Sequence, residues 1–148
     1  MKVRAEAQYR YEHGKQPKLL CSIEDVDSVI YDLLAPSKGL MKENLASIHS
    51  LERSLLPFGT PDHELMVGID GELEVGLVAF SDGSGNYVSR GSSEARVAPV
   101  YFQMGHVTEF SSHSEIPIHL VRQAVKEFLT SGGLRPTCIQ WQVLDTWG

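Results

Sequence analysis

The stretch Leu65-Met66-Val67-Gly68-Ile69-Asp70-Gly71-Glu72-Leu73-Glu74-Val75-Gly76-Leu77-Val78-Ala79-Phe80 decides the fold. Two apolar runs stand on either side of Asp70-Gly71, a pair that tolerates positive φ and closes tight hairpins. This predicts two antiparallel strands in the middle of the chain, with Glu72 and Glu74 on one strand face, two residues apart. Beyond Phe80, Ser81-Asp82-Gly83-Ser84-Gly85-Asn86 predicts a flexible loop and Tyr87-Val88-Ser89 a short strand. Val97 to Gln103 and His106 to Phe110 flank Met104-Gly105 as a second hairpin. Upstream, residues 41–56 stay open: Leu45, Ile48, Leu51 and Leu55 suit a helix, whereas Ala46 to Leu51 also suits a strand.

Working outward, Val3, Ala5, Ala7, Tyr9 and Tyr11 alternate with polar residues as in a half-buried strand, which His13 to Pro17 breaks. Ser22 precedes an acid, Asp25, by three residues, and Val26, Val29, Ile30 and Leu33 follow at helical spacing. The helix spans 22–34, and Pro36 and Gly39 end it. A last helix, 115–130, takes Ser114 as its cap and Pro117 in its first turn. Ile118, Val121, Val125, Phe128 and Leu129 form its buried stripe, and Gly132-Gly133 stop it. Thr137 to Val143 closes the chain as a strand with Ile139, Trp141 and Val143 on one face. Two helices flanking a run of strands imply an α+β fold: one domain, 1–148, with a largely antiparallel sheet of about six to eight strands.

The 148 residues carry 13 basic and 19 acidic groups, a net charge of −6. Residues 1–18 have a balance of +3, residues 19–82 of −9, and residues 83–148 of zero. Phosphate binding needs the opposite bias, so nucleic acid is not expected as a direct ligand. An acidic segment suits a basic protein partner or simply a solvated surface. No apolar run approaches the roughly 20 residues of a membrane helix, and Met1 to Glu6 leads into no signal region. The expectation is a soluble cytoplasmic protein. Two cysteines, Cys21 and Cys138, make neither a disulfide scaffold nor a thiolate zinc site and read as half-buried thiols.

Chemistry-bearing patterns are weak. Asp82-Gly83-Ser84-Gly85-Asn86 lacks the strand-to-helix frame of a nucleophile elbow and the glycine and glutamate of a calcium loop. His106, Glu109, His113, Glu115 and His119 cluster in sequence, but His106 and Glu109 point to opposite sides of a strand. Glu72 and Glu74 form a carboxylate pair of the kind used in acid–base work, here beside an exposed turn. No metal, cofactor or catalytic residue is expected from these patterns.

Several short motifs follow one another in order: Pro61-Asp62-His63-Glu64-Leu65, Val67-Gly68-Ile69-Asp70, Ser89-Arg90-Gly91, Gly105-His106-Val107-Thr108-Glu109-Phe110, Ser114-Glu115-Ile116-Pro117, Ala124-x-x-Glu127-Phe128-Leu129, Gly133-x-Arg135-Pro136-Thr137 and Ile139-Gln140-Trp141-Gln142. The series resembles immunity protein family one of the bacterial polymorphic toxin systems, from about residue 45 to 142 and more weakly from residue 20. The resemblance implies a binding protein, not an enzyme. Its partner would be a cognate toxin, often one with a cytidine-deaminase-like domain, neutralised in the producing cell. It also tips residues 45–53 toward a strand. The recurrent residues have structural explanations and do not give the contact set. For contact with the toxin, the acidic hairpins offer Asp70, Glu72 and Glu74 at one turn and Asp82, Asn86 and Tyr87 at the next. If the strands run antiparallel, these turns lie at opposite ends of the 73–80 strand. The alternative is a small-ligand or regulatory binding module on the same scaffold, which predicts a deep apolar pocket.

Overall fold

The computed structural model describes residues 2–35, 43–92 and 97–144. In chain order these form β1 (Ala5–Gln8), β2 (Lys18–Leu20), α1 (Ile23–Leu34), β3 (Leu45–Ser50), β4 (His63–Asp70), β5 (Val75–Asp82), β6 (Gly85–Ser89), β7 (Val100–Gln103), β8 (His106–Glu109), β9 (Ile116–Pro117), α2 (Ile118–Thr130) and β10 (Trp141–Leu144). Among the described residues, eight strands make one antiparallel sheet in the order β10-β6-β5-β4-β3-β1-β2, with β9 paired to the start of β5. β7 and β8 form a separate hairpin. The fold class is α+β, as the sequence predicts.

The hairpin that decides the fold is its centre. β4 and β5 pair along their full length, from His63 with Asp82 to Asp70 with Val75. Leu65, Val67 and Ile69 of β4 and Val78 and Phe80 of β5 face the two helices, in one core with Val26, Ile30, Val121 and Phe128. The opposite face presents Leu77 and Ala79, joined by Leu45, Val88, Tyr101 and Phe110 in a second, smaller core beneath the β7–β8 hairpin. Both faces of β5 are therefore covered, and Gly76 to Phe80 are all buried. This is why that run shows no polar alternation.

Glycine makes the close approach possible. A Cβ at Gly68 would sit 2.7 Å from Tyr101 Cδ2, so only a bare backbone lets the Tyr101 ring lie on β4. The Tyr101 hydroxyl donates to buried Glu115.

Several elements differ from the expectations. Asp70-Gly71 does not close a two-residue turn. The link is Gly71 to Glu74, with Asp70 Oδ1 accepting the amides of Glu72 (3.0 Å) and Leu73 (3.2 Å) and Glu74 at φ 56°. The aspartate side chain thus organises a longer turn, and Glu72 and Glu74 sit in it rather than on a strand face. The 81–86 segment is ordered, not a flexible loop. Asp82 pairs with Gly85 around Gly83-Ser84, and Asp82 Oδ1 accepts the Ser84 amide at 2.8 Å. Residues 45–50 settle as strand, paired with β1 and β4; positions 41 and 42 lie outside the described residues, as do Pro36 and Gly39. Tyr11 leaves the first strand for a 3-10 turn, Tyr11–Gly14. The last helix begins at Ile118, not 115. Ser114 and Glu115 are drawn into the core instead, where the Ser114 carbonyl accepts the Ser89 hydroxyl and its own hydroxyl donates to Ser111 O. The closing strand starts at Trp141, because the Glu127 carboxylate holds the amides of Thr137 (2.6 Å) and Cys138 (3.2 Å) out of any ladder. The start of α1 matches: Asp25 Oδ2 accepts the Cys21 and Ser22 amides, which hold its carboxyl below the usual range. Gly132 and Gly133 stop α2 at φ +77° and +95°.

Candidate functional site

The six acidic-hairpin candidates fall into two groups. β5 is eight residues long, so the turn at 71–74 and the turn at 83–84 are roughly 25 Å apart. At the first turn, Gly71 packs against Leu34 at the end of α1, and Leu73 is exposed with Glu72 and Glu74. At the second, the candidates are committed to neighbours. Asp82 accepts from the Ser84 hydroxyl at 2.6 Å and lies 3.6 Å from Arg53. Tyr87 donates to Ser84 O at 3.2 Å, and the Arg135 guanidinium stacks 3.9 Å above its ring. Asn86 sits opposite Ser81 and Leu144.

Arg53 organises this second end. It forks onto Asp62 (Nε to Oδ1 3.0 Å, Nη2 to Oδ2 3.2 Å), reaches Asp82, and donates through Nη1 to Gly133 O at 2.8 Å. One guanidinium therefore joins the β3–β4 loop, the end of β5 and the turn after α2. Burial opposes ionisation of Asp62 and Asp82. The hydrogen bonds from His63 and Arg53 to Asp62, and from Ser84 and Arg53 to Asp82, outweigh it and hold both carboxyls below the usual range.

Asp62, His63 and Ser50 have the residue types of a nucleophilic triad, but not its geometry. His63 Nδ1 donates to Asp62 Oδ1 at 2.9 Å, while Nε2 accepts the Ser50 backbone amide at 2.8 Å. Ser50 Oγ accepts from the Glu52 amide instead. The nitrogen that would take a proton from a serine hydroxyl is filled, so the group is a structural brace. Burial against Phe128 lowers the His63 pKa below the ordinary 6.5, despite the opposing pull of Asp62.

Between the folded His63 pKa and 6.5 the unfolded chain binds the proton and the folded chain does not, so stability falls as pH drops through that window. The depressed Asp62 and Asp82 add a further loss on acidification below the ordinary carboxyl value of 3.8. Urea unfolding from pH 7 to 5 should show the first loss, shared with His13, whose pKa burial also lowers below 6.5, and His63→Gln should reduce it. An unchanged slope in that variant would remove His63 as a source.

The histidine-rich segment does not converge. His106, Glu109, His113 and His119 are exposed, and Glu115 is buried against Tyr101. Among the described residues no three His, Cys, Asp or Glu side chains gather as a metal set. A groove of about 380 Å³ with Arg90, Leu120, Cys138 and Ile139 in its walls lies beside the start of α2. Burial, with Glu127 beside it, pushes the Cys138 thiol up to about 11, which leaves it protonated and a poor nucleophile.

The main exposed apolar feature at the Arg53 end has no clear signature in the sequence. The β3–β4 loop carries Leu51, Leu55, Leu56 and Phe58 on the surface, with Phe58 96% exposed. Its tip is a three-residue hairpin. The Gly59 amide donates to Leu56 O and the Leu56 amide to Thr60 O, both at 2.8 Å, with Gly59 at φ +83° and Leu55 bridged to Pro61. Pro57, Gly59 and Pro61 signal this turn in the sequence, but its leucines lack a clean period and suit a helix as well as a strand.

Among the described residues no helix is long and apolar enough to cross a membrane. No curated protein matches the chain in sequence. The family model described as Immunity protein Imm1 matches residues 14–143, from the 3-10 turn after β1 through β10 up to Val143. With most of its length and both of its helices inside that match, the chain belongs to the Imm1 family of immunity proteins.

Proposed function

We infer that this protein binds a cognate bacterial toxin and neutralises it by covering its active site or substrate groove, without turning over a substrate of its own. The observation that carries the reading is membership of the Imm1 family over residues 14–143. The toxin is a cytidine-deaminase-like domain acting on nucleic acid. Such a domain needs a basic groove and an open base pocket, and the net charge of −6, concentrated in residues 19–82, supports a basic partner. The Arg53 end, with Asp82, Asn86, Tyr87 and the β3–β4 loop, is the contact surface. Asp70, Glu72 and Glu74, at the far turn, steer the approach. Charge at that distance acts on the encounter rate more than on the lifetime of the complex.

The test is co-expression with the product of the adjacent toxin gene. Rescue of growth and co-purification of the two chains are expected. Continued lethality with no complex formed would overturn the reading. Within a complex, reversing Glu72 and Glu74 to Lys should slow association about threefold to tenfold at low salt and leave dissociation nearly unchanged. An unchanged association rate would remove that turn from steering.

A further inference from the structure

The geometry points to Phe58 as the plug: its ring enters the pocket in which the toxin holds its target base. This rests on the neutralisation reading above and extends it to one side chain. Phe58 belongs to neither core cluster, and its near-complete exposure contributes nothing to the fold. With Leu51, Leu55 and Leu56 the loop offers roughly 450 Å² of apolar side chain, the size of the largest patches on monomers. That is more than half of the ~800 Å² per partner that a stable complex buries. The loop is also set in advance. Two backbone hydrogen bonds of 2.8 Å, the αL glycine and the Leu55–Pro61 bridge fix its tip, and Arg53 fixes its base. A rigid tip loses little conformational freedom on binding, which makes an aromatic anchor effective.

The chemistry of the occupant follows from the ring and its surroundings. A flipped base is held in a slot between apolar and aromatic faces. Phe58 presents a flat ring on a short stem at the apex of a narrow turn. At the base of the loop the carboxylates of Glu52, Asp62 and Asp82 are held by Arg4 and Arg53, and the stretch that contains the loop, residues 19–82, carries a balance of −9, the sign that suits a phosphate-reading rim.

The test uses the intact protein with the toxin domain encoded beside its gene and a cytidine-containing single-stranded oligonucleotide. Calorimetry should show Phe58→Ser weakening the complex about 100-fold with its thermal midpoint unchanged, and deamination should return. Phe58→Leu, apolar but not flat, should fall in between, and Leu73→Ser at the far turn should bind as the unaltered protein does. The oligonucleotide should compete with the unaltered protein. Full affinity in Phe58→Ser, or binding that the oligonucleotide does not disturb, would overturn the assignment while neutralisation stands. Failure of the unaltered protein to bind or inhibit the domain would overturn both.

Discussion

Truncating Phe128 to alanine is expected to lower the unfolding free energy by about 4 kcal/mol. The ring is fully buried, 6.4 Å from Phe80 in an edge-on contact and 5.7 Å from His63. It is the largest side chain that α2 contributes to the sheet, beside Val121, Ala124, Val125 and Leu129. Removing it costs the transfer of an aromatic side chain and leaves a cavity that the paired strands β4 and β5 cannot collapse to fill. A loss of this size is a large part of the 5–15 kcal/mol that holds a typical domain folded. Urea titration should show a lower midpoint with an unchanged slope. A loss below 1 kcal/mol would mean that α2 is not what seals that face.

Alanine at Gly76 should cost about 3 kcal/mol, from one added methyl group. Its Cβ would stand 2.3 Å from Gly68 O and 3.1 Å from both Ile69 Cδ1 and Val121 Cγ2. Gly76 is held from two sides, by Ile69 of β4 and Ile116 of β9, so neither backbone has room to retreat. The conflict is steric and not conformational, since Gly76 has no positive φ. Gly83, in the turn at the other end of β5, is the control: an added Cβ meets nothing within 4 Å, and its alanine variant should stay within about 0.5 kcal/mol. A drop in thermal midpoint of roughly 10 °C for Gly76→Ala against almost none for Gly83→Ala is the expected pair of results. Equal midpoints would contradict the packing of β9 on β5.

These positions also show what a sequence can and cannot disclose. The β4–β5 hairpin was legible because its runs are apolar and a turn pair stands between them. The turn type is not legible there, because Asp70 can either take up a positive φ or gather amides with its side chain, and nothing local decides between the two. Ser114-Glu115 looks like a helix start, yet Ser89 and Tyr101, distant in sequence, claim both residues. β3 became a strand only through its pairing with β1 and β4. At the candidate site, the acids could be named from composition, but their partners could not. Arg53 lies 29 residues from Asp82 in sequence and 3.6 Å away in space. Phe58 leaves no mark in the sequence pattern, because a single exposed aromatic ring has no period.

The Arg53 clamp has an evolutionary consequence. Because the feet of the β3–β4 loop are bolted to β5 and to the turn after α2, residues 54–60 can be exchanged without touching either core. An inhibitor in an arms race needs that separation: a fixed chassis and a replaceable bit. Lineages facing altered opponents would then diverge at the tip while keeping Arg53, Asp62 and Asp82, much as antibodies vary their loops on a constant frame.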